Sequence, residues 1–392
     1  VDSGDKVLVG QKIGDSEALI AAPIHSPVSG TVKAIEPRPH HTGLKLSSVV
    51  IESDGQQKHV ECKGLSANPS PDEIRRKVRD AGIVGLGGAA FPTQVKLDPP
   101  KGQEIVSLII NGCECEPYLT GDHRIMVEEP EQILDGMLLL MKAVEAENGY
   151  IGIETNKPDA IEAMTAVTEK YPDIEVIALE EKYPQGSEKQ LIEAILDVQV
   201  APNMLPCSVG ALVQNVATSI AVSKACRDGL PLVERVITVS GNGIVTPKNL
   251  RVLIGTRVSD VIDFCGGTRD EVVKLILGGP MMGTTLVGRE APVVKGTSAI
   301  LALTNDEIAK VDVHPCIKCG KCVEVCPMLL LPYRFGAMVE FGVFDELEDN
   351  HIFNCIECGS CAFICPSQLP LVQYIKLGKY SLAQSWEKSR SA

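Results

Sequence analysis

The spacing of apolar residues predicts alternating strands and helices through the middle of the chain. Ile105–Ile110 has the length and composition of a buried strand, and beyond Pro130 the apolar residues Ile133, Met137 and Leu140 recur at helical spacing. The same patterns predict a capped helix from Ser70 to Gly82, strands over Tyr150–Ile153 and Glu175–Leu179, and helices over Pro158–Lys170, Ser187–Leu196 and Ser208–Cys226. This alternation predicts a mainly parallel sheet with helices on its faces.

The regions on either side of this alternation have different patterns. Short strand-like stretches separated by turns occupy residues 1–65, and a second strand-rich region covers residues 231–305. Residues 306–392 hold two cysteine runs, joined by the stretch Met328–Leu347, which has a mostly helical pattern. The sequence therefore predicts several domains rather than one.

The two cysteine runs are the strongest chemical signal in the sequence. Each has the form C-x2-C-x2-C-x3-C-P, which is the bacterial-ferredoxin spacing for a pair of [4Fe–4S] clusters that exchange their fourth ligands. Structural zinc commonly takes two separated cysteine pairs, and disulfides suit small secreted domains, so both alternatives fit this pattern poorly. The predicted ligands of cluster one are Cys316, Cys319, Cys322 and Cys365, and those of cluster two are Cys355, Cys358, Cys361 and Cys326.

Composition narrows the possible functions. The formal net charge is −14, which argues against general nucleic-acid binding because that needs a basic surface. No apolar run approaches the roughly 20 residues of a membrane span. The first residue is Val1 rather than Met, so we expect an N-terminal domain that is incomplete. The cysteines outside the runs share no regular spacing and are predicted to be reduced thiols: Cys62, Cys113, Cys115, Cys207, Cys226 and Cys265.

Two stretches lie where an α/β sheet binds its ligands, beyond the carboxyl ends of strands. The segment 82–96 contains three glycines in four positions, which let backbone N–H groups approach a phosphate or a flat ring. The segment 111–117, Asn-Gly-Cys-Glu-Cys-Glu-Pro, follows the strand ending at Ile110 and offers an amide and two carboxylates to the hydroxyls of a sugar-like chain. Each stretch alone also fits an ordinary turn or polar loop.

Together these stretches resemble the flavin- and NADH-binding subunit of respiratory complex I. That family has a G-x-G-G-A-G-F-P-T loop followed by lysine, an N-A-D-E-x-E-P segment and an N-N-V-E-T segment. The resemblance implies that FMN is bound by Gly85, Gly87, Gly88, Lys96, Asn111, Glu114, Glu116, Gln214, Asn215 and Thr218. It also implies NADH binding beside Phe91 and Glu116. The family's G-E-E-T segment has no match here, and residues 183–188 occupy its region.

The order of regions resembles the C subunit of the Rnf-type ion-pumping ferredoxin:NAD oxidoreductase over nearly the whole length. The implied fold is multidomain α/β and α+β. Its parts are a barrel-sandwich fragment at residues 1–65, an α/β flavin domain at 66–230, a β-grasp module at 231–305 and a helical double-[4Fe–4S] ferredoxin domain at 306–392. The barrel-sandwich part resembles lipoyl carriers but has no lysine in its loop at residues 25–30, which favours a structural role.

This resemblance implies a peripheral subunit on the cytoplasmic side of a membrane complex. It would carry FMN and two [4Fe–4S] clusters, use NAD(H) as substrate, and have an iron–sulfur subunit among its partners. No side chain is expected to act as acid or base, because the flavin supplies the chemistry. Two alternatives stay open from sequence: a soluble cobalamin reductase of a microcompartment, and a non-catalytic electron-wiring subunit.

Overall fold

The computed structural model describes residues 1–308 and 312–391, which form two compact units. The larger unit comprises Val1–Val200 and Leu205–Glu307, and the smaller comprises Ala201–Met204 and the described residues from Ile308 onward. The first three predicted domains therefore share one compact body, and their borders stay predictions. Residues 309–311 and 392, which the fourth predicted domain includes, lie outside the described residues.

The N-terminal region is built from strands, as the sequence predicts, but only three of the five are short, since the fourth and fifth have 10 and 9 residues. An antiparallel sheet has the order β1-β4-β5, and β2 pairs with β3 as a separate antiparallel ribbon. The bounds are β1 Lys6–Val7, β2 Lys12–Gly14, β3 Ile24–His25, β4 Gly30–Pro39 and β5 Lys45–Ser53.

The middle region contains the predicted parallel sheet, with strand order β8-β7-β6-β9 and all pairings parallel. Its strands are β6 Ser107–Asn111, β7 Asn148–Glu154, β8 Ile174–Leu179 and β9 Ala211–Asn215. Its helices are α1 Pro71–Asp80, α2 Thr93–Lys96, α3 Gly121–Glu128, α4 Pro130–Val144, α5 Pro158–Thr168, α6 Glu188–Leu196 and α7 Val216–Asp228.

Side chains of β6 alternate between two hydrophobic cores, which explains why both faces of the sheet are covered. Leu108 and Ile110 belong to the core that contains the predicted apolar face of α4, whereas Ile109 packs in a second core with residues of α6. Because successive strand residues point to opposite faces, a continuous apolar strand requires helices on both sides.

The predicted single helix over Ser208–Cys226 is wrong. A 3₁₀ turn at Pro206–Val209 ends at Gly210, whose φ of 71° breaks the helical path, and Ala211–Asn215 continues as β9 along the edge of β6. Helix α7 begins only after Asn215, whose side-chain oxygen accepts a hydrogen bond from the N–H of Ala217 at 2.9 Å. Sheet pairing therefore overrides the local helical pattern, and the turn places Gln214 and Asn215 at a strand end.

The strand-rich region forms a five-stranded sheet of order β11-β10-β14-β12-β13, packed on one helix that the sequence pattern missed. Only the pairing of β10 with β14 is parallel. The bounds are β10 Glu234–Ser240, β11 Lys248–Leu253, α8 Val258–Phe264, β12 Val272–Leu277, β13 Thr284–Thr285 and β14 Ala299–Thr304.

The smaller unit is helical, with the cysteine runs on short turns. Its helices are α9 Lys321–Glu324, α10 Pro332–Glu340, α11 Ser360–Phe363 and α12 Leu371–Ser391. The stretch Met328–Leu347 is helical only over α10, because Pro332 starts the helix and Gly342, with φ of 72°, follows its end. Within residues 1–308 and 312–391, no helix is both long and apolar enough to cross a membrane.

Close contact between α4 and α7 depends on Gly136. A β-carbon at this position would lie 1.9 Å from the backbone oxygen of Ser219. We therefore expect Gly136→Ala to push the helices apart and to lower the free energy of unfolding by about 1–3 kcal/mol. Urea unfolding measures this change. Gly288→Ala is the control, because a β-carbon there has nothing within 4 Å; equal stability of the two variants would contradict the prediction.

Candidate functional site

The glycine-rich segment forms an exposed loop closed by its own backbone. The N–H of Gly85 donates to the carbonyl oxygen of Phe91 at 2.8 Å, and Phe91 itself is half-buried. Between them Gly87 and Gly88 are exposed. Gly88 has φ of 113°, and a β-carbon built there would have nothing within 4 Å. The loop thus presents bare backbone to open space, and the positive φ of Gly88 is a conformation that glycine adopts without the strain of a side chain.

Side chains of Thr218, Arg235 and Lys295 form hydrogen bonds that hold this loop in place. The N–H of Leu86 donates to Oγ1 of Thr218 at 3.0 Å, and the carbonyl oxygen of Leu86 accepts from the Arg235 guanidinium at 3.0 Å. Lys295 Nζ donates to the carbonyl oxygens of Gly82 and Pro23, both at 2.6 Å. Burial lowers the pKa of Lys295 to about 8 and that of Arg235 to about 10. Two cations of the β-grasp region therefore stabilise the carbonyls at the start of the loop.

Parallel pairing brings the predicted polar residues to one edge of the sheet. Ile110 is opposite Gln214 and Asn111 is opposite Asn215. Asn111 Nδ2 donates to the carbonyl oxygen of Gly186 at 2.8 Å, which places the segment 183–188 beside the Asn111 loop. Gln214 is only 2% exposed, and its Nε2 has no hydrogen-bond partner among the described residues. Buried donors without a partner are rare in folded proteins, so this amide has an unused hydrogen-bond donor at the strand end.

Acidic and amide side chains form a half-buried network beside this edge. Glu114 accepts hydrogen bonds from the N–H groups of Asp122 and His123 at 2.8 and 2.9 Å, at the start of α3. Asn215 Nδ2 donates to Asp122 Oδ2 at 2.5 Å. Burial, together with the nearby Asp122 carboxylate, raises the pKa of Glu114 to about 8. Burial likewise raises the pKa of Asp122, against the opposing effects of the hydrogen bond from Asn215 and of the Arg235 charge. Both shifts favour the uncharged form of these carboxyl groups in the folded protein.

Glu116 connects the middle region to the β-grasp region. Its carboxylate oxygens accept from the N–H groups of Met281 and Met282 at 3.0 and 2.8 Å. A β-carbon at Gly279 would lie 2.3 Å from this carboxylate, so the loop can approach Glu116 only with glycine there. Burial raises the pKa of Glu116. The structure therefore gives this predicted ligand a partner within the protein.

Lys96 is half-buried and already engaged. Its Nζ donates to Glu188 Oε1 at 2.7 Å and to the carbonyl oxygen of Val213 at 3.0 Å. The sequence interpretation missed Glu188, Asp122 and Arg235. Glu188 could have been found as an acidic residue at the start of the predicted helix after Gly186. Arg235 could have been found as a lone cation within an apolar strand.

The structure brings the eight run cysteines into two groups of four. One cavity is lined by the cysteines predicted for cluster one, and another by those predicted for cluster two. The fourth member of each group comes from the other run, Cys365 in the first cavity and Cys326 in the second. Among the described residues, no three His, Cys, Asp or Glu side chains are arranged to hold a single metal ion. Four thiols around a shared cavity are the donor set that a [4Fe–4S] cube requires.

Both runs use the same local backbone. The third residue of each run, Lys318 or Glu357, has positive φ, 55° and 57° respectively. In both runs its N–H donates to the sulfur of the first cysteine at 3.4 Å. Gly320 and Gly359, each with a left-handed φ, are the N-cap residues directly before the short helices α9 and α11. This repetition explains why the spacing is the same in the two runs.

Comparison with protein-family models finds a match in each of the four regions. They are an RnfC barrel sandwich hybrid domain over residues 1–56, a Nuo51 FMN-binding domain over 78–224, an SLBB domain over 236–285 and a 4Fe-4S dicluster domain over 315–370. The order agrees with the predicted succession of barrel-sandwich, flavin, β-grasp and ferredoxin-type parts.

Named relatives match nearly the whole chain. The C subunit of the Na(+)-translocating ferredoxin:NAD(+) oxidoreductase complex of Acetobacterium woodii is 44% identical over 97% of this chain and 86% of the relative. The C subunit of the proton-translocating complex of Clostridium ljungdahlii is 44% identical over 100% of this chain and 86% of the relative. The chain belongs to the Rnf C-subunit family. This confirms the family predicted from the sequence.

Among solved structures, this Rnf C-subunit chain is similar to an NAD+-reducing [NiFe]-hydrogenase in the air-oxidised state. The TM-score is 0.55 with 19% sequence identity, covering 74% of this chain and 60% of the hydrogenase chain. At this identity the likeness shows the fold alone, and this chain spans about 60% of that chain's length.

Thr218 provides a test of how the glycine loop is held. Its side chain is fully buried and accepts the N–H of Leu86. We expect Thr218→Val to leave that N–H unsatisfied, lowering the free energy of unfolding by about 1–3 kcal/mol and reducing the bound flavin per chain. Urea unfolding and flavin absorbance measure the two effects. Thr218→Ser keeps the hydroxyl and is the matched control; a valine variant that behaves like the serine variant would contradict the prediction.

Proposed function

We propose that this chain is the flavo-iron–sulfur electron-transfer subunit of an ion-translocating ferredoxin:NAD oxidoreductase complex. It exchanges electrons with NAD(H) at FMN and with partner subunits, one of them an iron–sulfur subunit, through two [4Fe–4S] clusters. One observation carries this proposal. The same chain has both an exposed glycine loop beside the ends of parallel strands and two cavities that are each lined by four cysteines.

The residues at the sheet edge fit FMN. The open backbone around Gly88 leaves room for a flat ring, the buried Nε2 of Gln214 needs an acceptor, and Asn111 lies opposite Asn215 at the ends of paired strands. When bound, FMN exchanges a hydride with NAD(H) and single electrons with iron–sulfur centres. The protein's part is to hold and orient the cofactor. The proposed contacts are Gly85, Gly87, Gly88, Lys96, Asn111, Glu114, Glu116, Gln214, Asn215 and Thr218.

Several of these residues support the site through contacts already formed within the protein. Thr218 fixes the loop at Leu86, Glu114 caps α3, and Lys96 orients Glu188. Phe91 and Glu116 are proposed to form the edge where NAD(H) binds. The half-buried ring of Phe91 offers a stacking face, and Glu116 holds the loop of Met281 and Met282 in place.

The eight run cysteines are proposed to ligate the clusters as the two cavities group them. The complex is proposed to be membrane-bound, with this subunit peripheral on its cytoplasmic side. Relatives named as the C subunit of ion-translocating complexes support this assignment over a cobalamin reductase.

Anaerobic purification of the native protein tests the function directly. The membrane subunits of the complex should co-purify with the chain, and each chain should hold one releasable FMN and about eight iron and eight sulfide. Cys365→Ser is expected to damage cluster one, since Cys365 lines that cavity, and to leave cluster two in place. Iron near four per chain in the wild type, zinc in place of iron, or flavin absent from freshly isolated protein would refute the proposal.

The proposed stacking role of Phe91 has a separate test. Phe91→Ala should raise the apparent KM for NADH in a dye-reduction assay by roughly 2- to 13-fold, which corresponds to a loss of about 0.5–1.5 kcal/mol of stacking. Fold and flavin content should stay unchanged. If Phe91 instead supports the core, the same variant loses about 3–5 kcal/mol of stability and its flavin, and the stacking role is then wrong. Phe91→Tyr, which keeps the ring, is the control.

A further inference from the structure

The two cysteine runs differ in charge at positions that are otherwise equivalent. Lys318 is the third residue of the first run and is exposed, whereas Glu357 is the third residue of the second run and is half-buried. Each lines the cavity of its own run. Because both residues have the same backbone conformation and the same N–H contact to a cysteine sulfur, the difference lies in their side chains.

A lysine from the last helix reaches the second run. Lys379 Nζ on α12 donates to the carbonyl oxygen of Cys355 and to Glu357 Oε1, both at 2.7 Å. The Lys379 side chain is only 19% exposed. Lys376, one turn earlier, lies 3.8 Å from Glu357 and is 52% exposed. The chain thus holds one sheltered and one solvated ammonium group near the same carboxylate.

The solvent exposure of a charged group determines how strongly its charge acts on neighbouring groups. An ammonium group shielded from water is screened less by solvent and salt than an exposed one. Reduction of a [4Fe–4S] cluster adds negative charge, so a sheltered cation beside a ligand cysteine favours the reduced state. Hydrogen bonds and charges around the ligands are established determinants of cluster potential.

We propose that Lys379 is a positioning residue that raises the reduction potential of the cluster held by Cys326, Cys355, Cys358 and Cys361. Its hydrogen bonds fix the Cys355 loop, and its charge offsets that of Glu357 at the cavity wall. The inference rests on the proposed binding of a [4Fe–4S] cluster in this cavity. Lys376 contributes much less, because its ammonium group is largely solvated.

Redox titration of the anaerobic, full-length protein followed by electron paramagnetic resonance tests the proposal. In Lys379→Met, one of the two reduction steps should move to a more negative potential while the other stays. Lys379→Arg should restore the wild-type value, since it keeps the charge. Lys376→Met is the matched control and should move either step less than Lys379→Met does. Glu357→Gln should move the same step in the opposite direction, to a more positive potential.

Iron content separates the possible failures. About four iron per wild-type chain would remove the second cluster and with it the proposed function. About eight iron with both steps unmoved in Lys379→Met, or a step moved to a more positive potential, overturns the role of Lys379 alone. If Lys379→Met loses iron, Lys379→Gln decides, because it removes the charge but keeps a hydrogen-bond donor for the Cys355 carbonyl. An unmoved step in that variant also overturns the proposal.

Discussion

The parallel pairing of β6 with β9 is the constraint on which the proposed flavin site at the edge of the sheet depends. It sets Asn111 opposite Asn215 and Ile110 opposite Gln214, so polar side chains more than a hundred positions apart in sequence share one edge. Before these polar ends, each strand carries apolar residues that pack on both faces of the sheet. A register shift of one residue would move each of these side chains to the opposite face, away from the core that it fills, and would change which polar residues lie opposite each other, so core packing fixes the position of the site residues.

The same edge is reinforced from a neighbouring region. Arg235 and Lys295 bind carbonyls at the start of the glycine loop, while Glu116 binds backbone N–H groups of the loop at residues 279–282. All of these hydrogen bonds cross the boundary between the two regions, and the β-grasp region supplies the donor in each. Arg235 is buried and Lys295 is half-buried, and an unpaired charge in such surroundings is costly, so these contacts hold the two surfaces in a single arrangement.

Sequence patterns correctly predicted the features that depend on residues close together in the chain. The α4 face, the parallel strands and both cysteine runs follow from periodicity or ligand spacing, and the fold confirms the first two. The strand Ala211–Asn215 was missed because its identity comes from pairing with β6, a distant partner. The contacts of Glu116, Lys96 and Arg235 were equally inaccessible, since each binds backbone groups from a distant part of the chain. Sequence motifs named candidate residues, but only tertiary structure shows how their hydrogen bonds are used.

Lys295 also bears on how this protein can be divided or recombined. Its ammonium group joins Pro23 of the N-terminal region to Gly82 at the start of the glycine loop. A gene fragment that encodes the flavin region alone would lose this cation and would expose the Gly82 carbonyl and the apolar surface around it. The four sequence regions look like interchangeable modules, yet the first three pack against one another and form contacts across their borders. Exchange of a single region between distant relatives therefore requires compensating changes in the others.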